Sequence, residues 1–493
     1  MRFKIHACLF FLIIISEEIL AINNIHNLKL YRKRAINQNA FEDCLKPITG
    51  EKVFKSSPNY NSTIIDENSA IEFLPNAIVF PNSVKDIQLA IECAKSFNLN
   101  ITPRSGGHSY ESYSLGGKDG ALVVDLKNFN QIQIDKTNNL VKVGAGNRLG
   151  NIYFALSKDN YVVPAGTCPS VGISGHILGG GIGNLVRKFG KLSDQLVSVE
   201  MVLASGESIT VDTNNRPDLF FGLRGGGGGN FGIVTSFTIR IHQIVPKVTT
   251  IGITWDLTTQ QLHKVFNSVH KNSNGLTTDL TFNVVLTSDE IALSGVYLGD
   301  KNSASKVMNA FLNDVGSEGL QLFEESWFDS VVRISFESRA RNINPKITPY
   351  NFKAKSFLVG KSGLSTNGLD TLVEFLKKIP CDTFAEFDVF AGGINVNPNK
   401  SILQHLDFFY GIQLLTSGWK SDKQGNVCIK QINDFGKSFQ RDFTSPSSYI
   451  NYIDRDLDDW PTRYYGDNLK TLQILKSNVD PQQLFKFPQS IPI

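Results

Sequence analysis

Charge is scarce in this 493-residue chain and neither sign dominates: 19% of residues are charged, and 49 Lys and Arg against 46 Asp and Glu leave a net +3. So even a balance excludes the basic footprint of a nucleic-acid binder and points to a small-molecule partner. No run of 18 apolar residues occurs, so no membrane-spanning helix is expected. The G-x-x-x-x-G-K-S/T, H-E-x-x-H, C-x-x-C and G-x-S-x-G patterns are absent, which argues against nucleotide hydrolase, zinc protease, thiol redox and α/β-hydrolase chemistry. Internal repeats and low-complexity tracts are absent too. With 41% hydrophobic residues the chain is globular, of one or two domains.

The N-terminus reads as an address. Arg2 and Lys4 precede the apolar run Ala7 to Ile15, too short to span a bilayer but suited to a secretory signal peptide over residues 1–21, with cleavage near Ala21. The mature protein is expected to be secreted or to reside in an endomembrane lumen. Asn61, Asn100 and Asn399 each open an Asn-x-Ser/Thr glycosylation acceptor compatible with that route.

Loss of Cys8 with the signal leaves Cys44, Cys93, Cys168, Cys381 and Cys428, an odd number in an oxidising compartment. Cys93 lies on a helix opened by a capping box, Ser83-Val-Lys-Asp86, and predicted to bury Val84, Ile87, Ile91 and Ala94. Pairing Cys44 with Cys93 would close a 49-residue loop, and Cys381 can pair with Cys428, but spacing alone does not fix connectivity. Cys168 sits in Pro164-Ala-Gly-Thr-Cys-Pro-Ser-Val-Gly172, a loop better placed to meet a ligand than to staple a core.

Organisation changes near residue 246. From Ala77 to Ile241 short apolar strands (Ala77 to Phe80, Ala121 to Asp125, Leu140 to Val143, Leu196 to Leu203, Ile233 to Ile241) alternate with helices and Gly-rich turns. Over 247–447 strands such as Leu280 to Leu286, Ile291 to Leu298, Ala385 to Phe390 and Phe408 to Leu415 alternate with helical patterns, predicting a second domain on an antiparallel sheet. The fold class is α+β. Domains are expected at 40–246 and 247–447, followed by an aromatic, polar segment at 448–493.

Glycine clusters carry the strongest signal. Pro103-Arg-Ser-Gly-Gly-His-Ser-Tyr110 follows a strand, Gly166 to Gly183 holds seven glycines in 18 residues, and Gly225 to Gly229 is continuous. Consecutive glycines present backbone N–H groups without side-chain obstruction, which suits phosphate or pyrophosphate oxygens, so a dinucleotide is expected. Gly227, Gly229 and Gly232 formally satisfy G-x-G-x-x-G, yet Ile233 to Ile241 alternates like a strand where the Rossmann pattern requires a helix.

His108 and His176 are the two histidines within these loops. His108 ends Arg104-Ser-Gly-Gly-His108, and Cys168 opens Cys168-Pro-Ser-Val-Gly-Ile-Ser-Gly-His176-Ile-Leu-Gly-Gly-Gly181-Ile-Gly183. With Tyr449-Ile-Asn-Tyr-Ile-Asp454, Tyr464-Tyr-Gly-Asp-Asn468 and Asp480-Pro-Gln-Gln-Leu-Phe485, these motifs make residues 40–493 resemble the berberine bridge enzyme-like family of FAD-linked oxidases. The resemblance implies a two-part FAD-binding domain of the vanillyl-alcohol oxidase type plus a substrate domain whose antiparallel sheet is flanked by helices. It also implies FAD held bicovalently, 8α-histidyl through His108 and 6-S-cysteinyl through Cys168, and a Cys44–Cys93 disulfide. The implied flavin cradle takes Arg104, Ser105, Gly106, Gly107, Ser109 and Tyr110 from the first loop. Gly172, Gly175, His176, Gly180, Gly183 and Asn184 come from the second, Gly229, Gly232, Ile233 and Val234 from the third, and Asn468 from the C-terminus.

Imidazole and thiolate are the side-chain nucleophiles able to add to an electron-poor isoalloxazine at neutral pH, and two tethers leave the flavin more oxidising. Hydride transfer to the flavin also needs a base for the substrate proton. The resemblance places that role on Tyr452, whose hydroxyl serves as tyrosinate where its surroundings lower a pKa near 10, and puts Gln413 on the substrate side. Two positions depart from many plant relatives: Gly411 stands for a lysine and Ile182 for a tyrosine. Val171 occupies the position that in the family influences oxygen access, and valine there favours an oxidase yielding hydrogen peroxide from O2.

The function expected is therefore a secreted FAD-dependent oxidase of alcohols or carbohydrate hemiacetals, with Gln413, Tyr410, Phe408, Glu386 and Asn395 as sugar-recognising groups. Oxidative cyclisation or dehydrogenation of an alkaloid-like or phenolic metabolite is the alternative enzyme reading, and a secreted flavin-retaining binding glycoprotein the non-enzymatic one.

Overall fold

The computed structural model describes residues 37–335, 347–393, 402 and 408–493. The expected signal peptide, Asn395 and the Asn399 acceptor lie outside the described residues. Of the other two acceptors, Asn61 is exposed, whereas Asn100 is half-buried and its amide donates to the Lys486 carbonyl at 2.5 Å.

Besides a short ladder pairing Tyr161–Val162 with His242–Gln243, two small sheets form the first half of the chain. In the first, the order is Glu51–Phe54, Ala77–Phe80, Leu122–Asp125, Ile101–Arg104. Ala77–Phe80 and Ile101–Arg104 both run parallel to Leu122–Asp125, and the helix Val84–Ser96 makes the crossover between them. Ser83 caps that helix, accepting from the Asp86 N–H at 3.2 Å. The reciprocal half of the expected capping box is not made. Asp86 is instead buried and accepts from Asn82 N at 2.9 Å and from Thr49 N and Oγ1 at 2.9 and 2.7 Å. Val84 is consequently half-buried, and Ala90 joins Ile87, Ile91 and Ala94 in the core.

The second sheet is antiparallel, ordered Ile132–Asp135, Leu140–Gly144, Ile233–Arg240, Leu196–Val202, Ser208–Asp212. Its central strand begins directly after the third glycine cluster, as the alternation of Ile233, Phe237 and Ile239 dictates. The third sheet has seven strands in the order Gln321–Glu325, Val248–Asp256, Glu290–Tyr297, Leu280–Leu286, Asp382–Val389, Tyr410–Ser417, Phe352–Val359, all antiparallel. Ile253, Leu293, Phe387 and Ile412 on its back pack against Val265, Met308, Leu372 and Ile432 of the helices Thr259–Asn272, Lys301–Leu312, Thr366–Lys378 and Asp422–Phe443. Its front carries the polar residues Asn283, Glu386, Asp388 and Gln413 toward the glycine-rich loops. This is the mixed α+β architecture anticipated from the strand patterns.

Disulfides join Cys44 to Cys93 and Cys381 to Cys428. The first ties the N-terminal helix Gln38–Leu45 to the crossover helix, and the second ties a strand start to the long helix behind the sheet. Cys168 takes part in neither of these two bridges.

The last 45 residues return across the molecule. Tyr449 N donates to Ser356 Oγ at 2.8 Å on the edge strand of the third sheet. Lys476 Nζ then reaches the carbonyl of Asn230 at 2.6 Å, and Ile491 N donates to Asn230 Oδ1 at 2.9 Å.

Candidate active site

The three glycine clusters and the front of the seven-stranded sheet enclose one cavity of about 820 Å³. Gly106 and Gly172 explain how the first two loops come together: a Cβ on Gly106 would stand 2.2 Å from Gly172 N, and one on Gly172 would meet Gly106 N equally closely. Only glycine permits that approach. The second loop is docked by its carbonyls, with Leu149 N donating to Val171 O and Gly150 N to Pro169 O, both at 2.9 Å, at the start of the helix Leu149–Ser157. Gly175, by contrast, faces open space, with nothing within 4 Å of a Cβ, and Gly228 meets only the Gly175 Cα at 3.5 Å. These bare backbones form a cradle suited to pyrophosphate.

His108 is half-buried at the cradle's edge with Nδ1 against the Glu67 carboxylate, while its Nε2 is buried without a hydrogen-bond partner among the described residues. Burial, reinforced by the charge of Arg148, pushes its pKa down to about 3, so the ring is neutral and nucleophilic. His176 is likewise held neutral by burial, its pKa at about 4, and its Nε2 accepts from Gly166 N at 2.9 Å. That bond fixes the entrance to the Cys168 loop. An orphaned, neutral imidazole, a cysteine on a docked loop and a side-chain-free cradle in one cavity fit a flavin dinucleotide.

Most of the residues singled out in the sequence line this cavity: Ser105, Gly106, Gly107, His108, Ser109 and Tyr110; Cys168, Gly172, Gly175, His176, Gly183 and Asn184; Gly229, Gly232, Val234, Gln413 and Tyr452. Arg104, Gly180, Ile233 and Asn468 do not. Arg104 points away, with Nε 2.6 Å from Asp125 Oδ2 and Nη1 2.8 Å from the Thr63 carbonyl. Ile233 faces the opposite side of its strand from Val234 and is fully buried. Gly180 turns the chain after the short helix Ile173–Leu178, accepting from Ser193 N, and Asn468 donates to the Ile402 carbonyl at 3.3 Å. Of the residues proposed to recognise sugar, Glu386 and Gln413 line the cavity, whereas Tyr410 is buried behind the sheet, donating nothing to it and accepting from Leu364 N.

Opposite the cradle, Tyr452 ends the 3₁₀ turn Ile450–Tyr452, which the Tyr449–Ser356 bond pins to the sheet edge. Its ring stacks on Tyr110, with centroids 5.6 Å apart and planes 9° from parallel. Tyr110 Oη accepts from Gln413 Nε2 at 2.5 Å. The Tyr452 hydroxyl faces the Asp388 carboxyl closely enough to lower that group's pKa. Burial raises the Tyr452 phenol well above its usual range and the Asp388 charge raises it further. Burial also pushes the Asp388 carboxyl up to about 7, with the tyrosine hydroxyl holding it down. The surroundings present here thus favour the neutral phenol of Tyr452 over the tyrosinate. Asp388 lies directly across from Gly411, where a Cβ would already meet the Phe390 ring at 3.2 Å, so the lysine common in plant relatives has no room without moving Phe390.

Sequence reading missed Asp388, Asn283 and Glu67. Each sits in an ordinary strand or loop pattern, and only tertiary contacts place it at the cavity: Asn283 is the cross-strand partner of Asp388, and Glu67 N donates to the Gly107 carbonyl.

Fold and site together define a flavin-dinucleotide oxidoreductase. A model of the FAD binding domain matches residues 75–212, and the berberine and berberine-like model matches residues 448–492. The FAD-linked oxidoreductase YgaK of Bacillus subtilis is 31% identical over 90% of this chain and 97% of its own. The xylooligosaccharide oxidase of Thermothelomyces thermophilus is 27% identical over 92% of this chain and 94% of its own. The structure of Physcomitrella patens BBE-like 1 superposes with a TM-score of 0.86 at 33% identity, over 92% of this chain and 99% of that one. The chain belongs to the berberine bridge enzyme-like family of FAD-linked oxidoreductases. Among the described residues no helix is long and apolar enough to cross a membrane.

Proposed function

We propose that the protein is a secreted oxidase of carbohydrate hemiacetals or related alcohols, carrying FAD bicovalently on His108 and Cys168 and passing its electrons to O2. The observation that carries the reading is the meeting of Tyr452 and Asp388 in the same cavity as the His108 and Cys168 loops. When bound, the flavin supplies the acceptor for a hydride from the substrate carbon.

The protein's residues manage the proton. Because the Tyr452 phenol is held far above neutrality, it serves by relay: its oxygen accepts the substrate hydroxyl proton while its own proton passes to Asp388, whose carboxyl titrates near 7. Tyr110 stacked on one face and the bond of Tyr449 to Ser356 hold the phenol in place. Gln413, tied to Tyr110, leaves its carbonyl for a substrate hydroxyl. His108, neutral and with Nε2 unengaged, suits attachment to the flavin 8α-methyl. Cys168, as its thiolate, would supply the second attachment, at the flavin C6. The relatedness to a xylooligosaccharide oxidase supports a carbohydrate substrate.

Anaerobic mixing with a panel of reducing oligosaccharides and alcohols tests this: at least one bleaches the flavin absorbance, and readmitted O2 restores it with release of hydrogen peroxide. Failure of every member to bleach it overturns the reading.

A further inference from the structure

The substrate side of the cavity is acidic. Asp382, Glu386 and Asp388 line it from one strand and Asp289 from a neighbouring hairpin, while Lys377, exposed near the mouth, is the one lysine or arginine among the described lining residues. Glu386 and Asp388 are two residues apart, so both side chains stand on the same face. Glu386 is only 8% exposed and forms no ion pair with any described residue; it accepts from Asn283 Nδ2. Asn283, 5% exposed and also lining the cavity, has its other amide atom, Oδ1, buried without any hydrogen-bond partner among the described residues.

An acceptor left unsatisfied beside the buried Glu386 carboxyl and the half-buried Asp388 carboxyl is costly unless a ligand donates to it. We infer that Glu386, Asp388 and Asn283 form a subsite for a protonated amine, so that the preferred substrate is a polyhydroxylated ring bearing an ammonium group beside the carbon that is oxidised. An ammonium has three donors and no acceptor, which matches one Glu386 oxygen, one Asp388 oxygen and the orphaned Asn283 Oδ1. A neutral hydroxyl donates once and satisfies one of the three. Burial, with the Asp388 charge behind it, lifts the Glu386 carboxyl well above the usual carboxylate range, so its negative form is stable here only with a cation alongside.

This inference names the substrate class for the site proposed above and rests on that reading for the location of the oxidised carbon. Its test does not require turnover. The probes are isofagomine, a hydroxylated piperidine protonated at pH 7, and 1,5-anhydroglucitol, an uncharged ring of the same size. Neither has a hemiacetal to oxidise. Affinities for the holoenzyme are read from the perturbation of the flavin absorbance and from the shift in thermal midpoint. The amine is expected to bind roughly tenfold or more tightly than the ether, as charge-assisted hydrogen bonds predict, and Glu386→Gln is expected to bring the ratio toward one. A wild-type ratio near one overturns the inference, as does a ratio untouched by the substitution; the wild-type ratio decides alone should the variant not fold. If no alcohol or sugar bleaches the flavin, the oxidase reading falls while this binding ratio remains a separate result.

Discussion

Tyr110 and Tyr452 lie face to face, 5.6 Å between centroids and 9° from parallel, although 342 positions of sequence separate them. Each is followed closely by a member of one buried ion cluster. Glu111 accepts from Lys353 Nζ at 2.7 Å, and Asp454 accepts from Lys353 and from Lys355, both at 2.6 Å. The stack is thus clamped at its backbone and not merely packed.

If the clamped phenol is the proton relay, Tyr452→Phe slows anaerobic flavin reduction by roughly two orders of magnitude or more while the flavin spectrum stays that of the wild type. A rate within a few-fold of wild type removes Tyr452 from the proton path.

The second expectation concerns pH. The relay needs Asp388 as carboxylate, and its pKa is pushed up to about 7. Reduction of the flavin by a neutral substrate should therefore rise with pH through that value and fall about tenfold per unit on the acid side. Asp388→Asn should slow the reaction and abolish that limb. A pH-independent wild-type rate between 5 and 8 contradicts the assignment.

Flavin attachment gives a third outcome, read by acid precipitation. His108→Ala and Cys168→Ala should each keep yellow colour in the pellet, through the other link, and the double variant should lose it to the supernatant. Colour lost in either single variant would mean one tether in place of two.

Lys353 supports a fourth. It is 4% exposed, and although burial opposes its charge, Asp454, Glu111 and Asp456 outweigh that and raise its pKa. Lys353→Met leaves these carboxylates short of a partner, a loss on the order of 3–5 kcal/mol. Denaturant unfolding of the holoenzyme should show it. A change below about 1 kcal/mol would mean the cluster relaxes onto Lys355 and Arg455.

The flavin side of this site was legible in the sequence because close backbone approach demands glycine, and glycine clusters survive as a local pattern. Gly106 and Gly172, His108 and Cys168 announce themselves that way. The opposite face was legible only in part, through Tyr452 and Gln413. Asp388 looks like any strand carboxylate until Leu280–Leu286 and Tyr410–Ser417 pair on either side of its strand. The strand ends were read to within a few residues, but Arg104 and Ile233 show what local pattern leaves out: each adjoins a cavity-lining residue and faces the other way.

The route of the C-terminal segment carries a consequence for biosynthesis. Tyr452 is delivered by residues 449–452, and the third glycine cluster is held by Lys476 and Ile491 through Asn230. A chain still emerging from the ribosome has its glycine loops but neither Tyr452 opposite them nor the tie that closes them. Assembly of the complete pocket is therefore a post-translational event, and a nascent chain interrupted before residue 449 cannot become a slow enzyme, only an unfinished one.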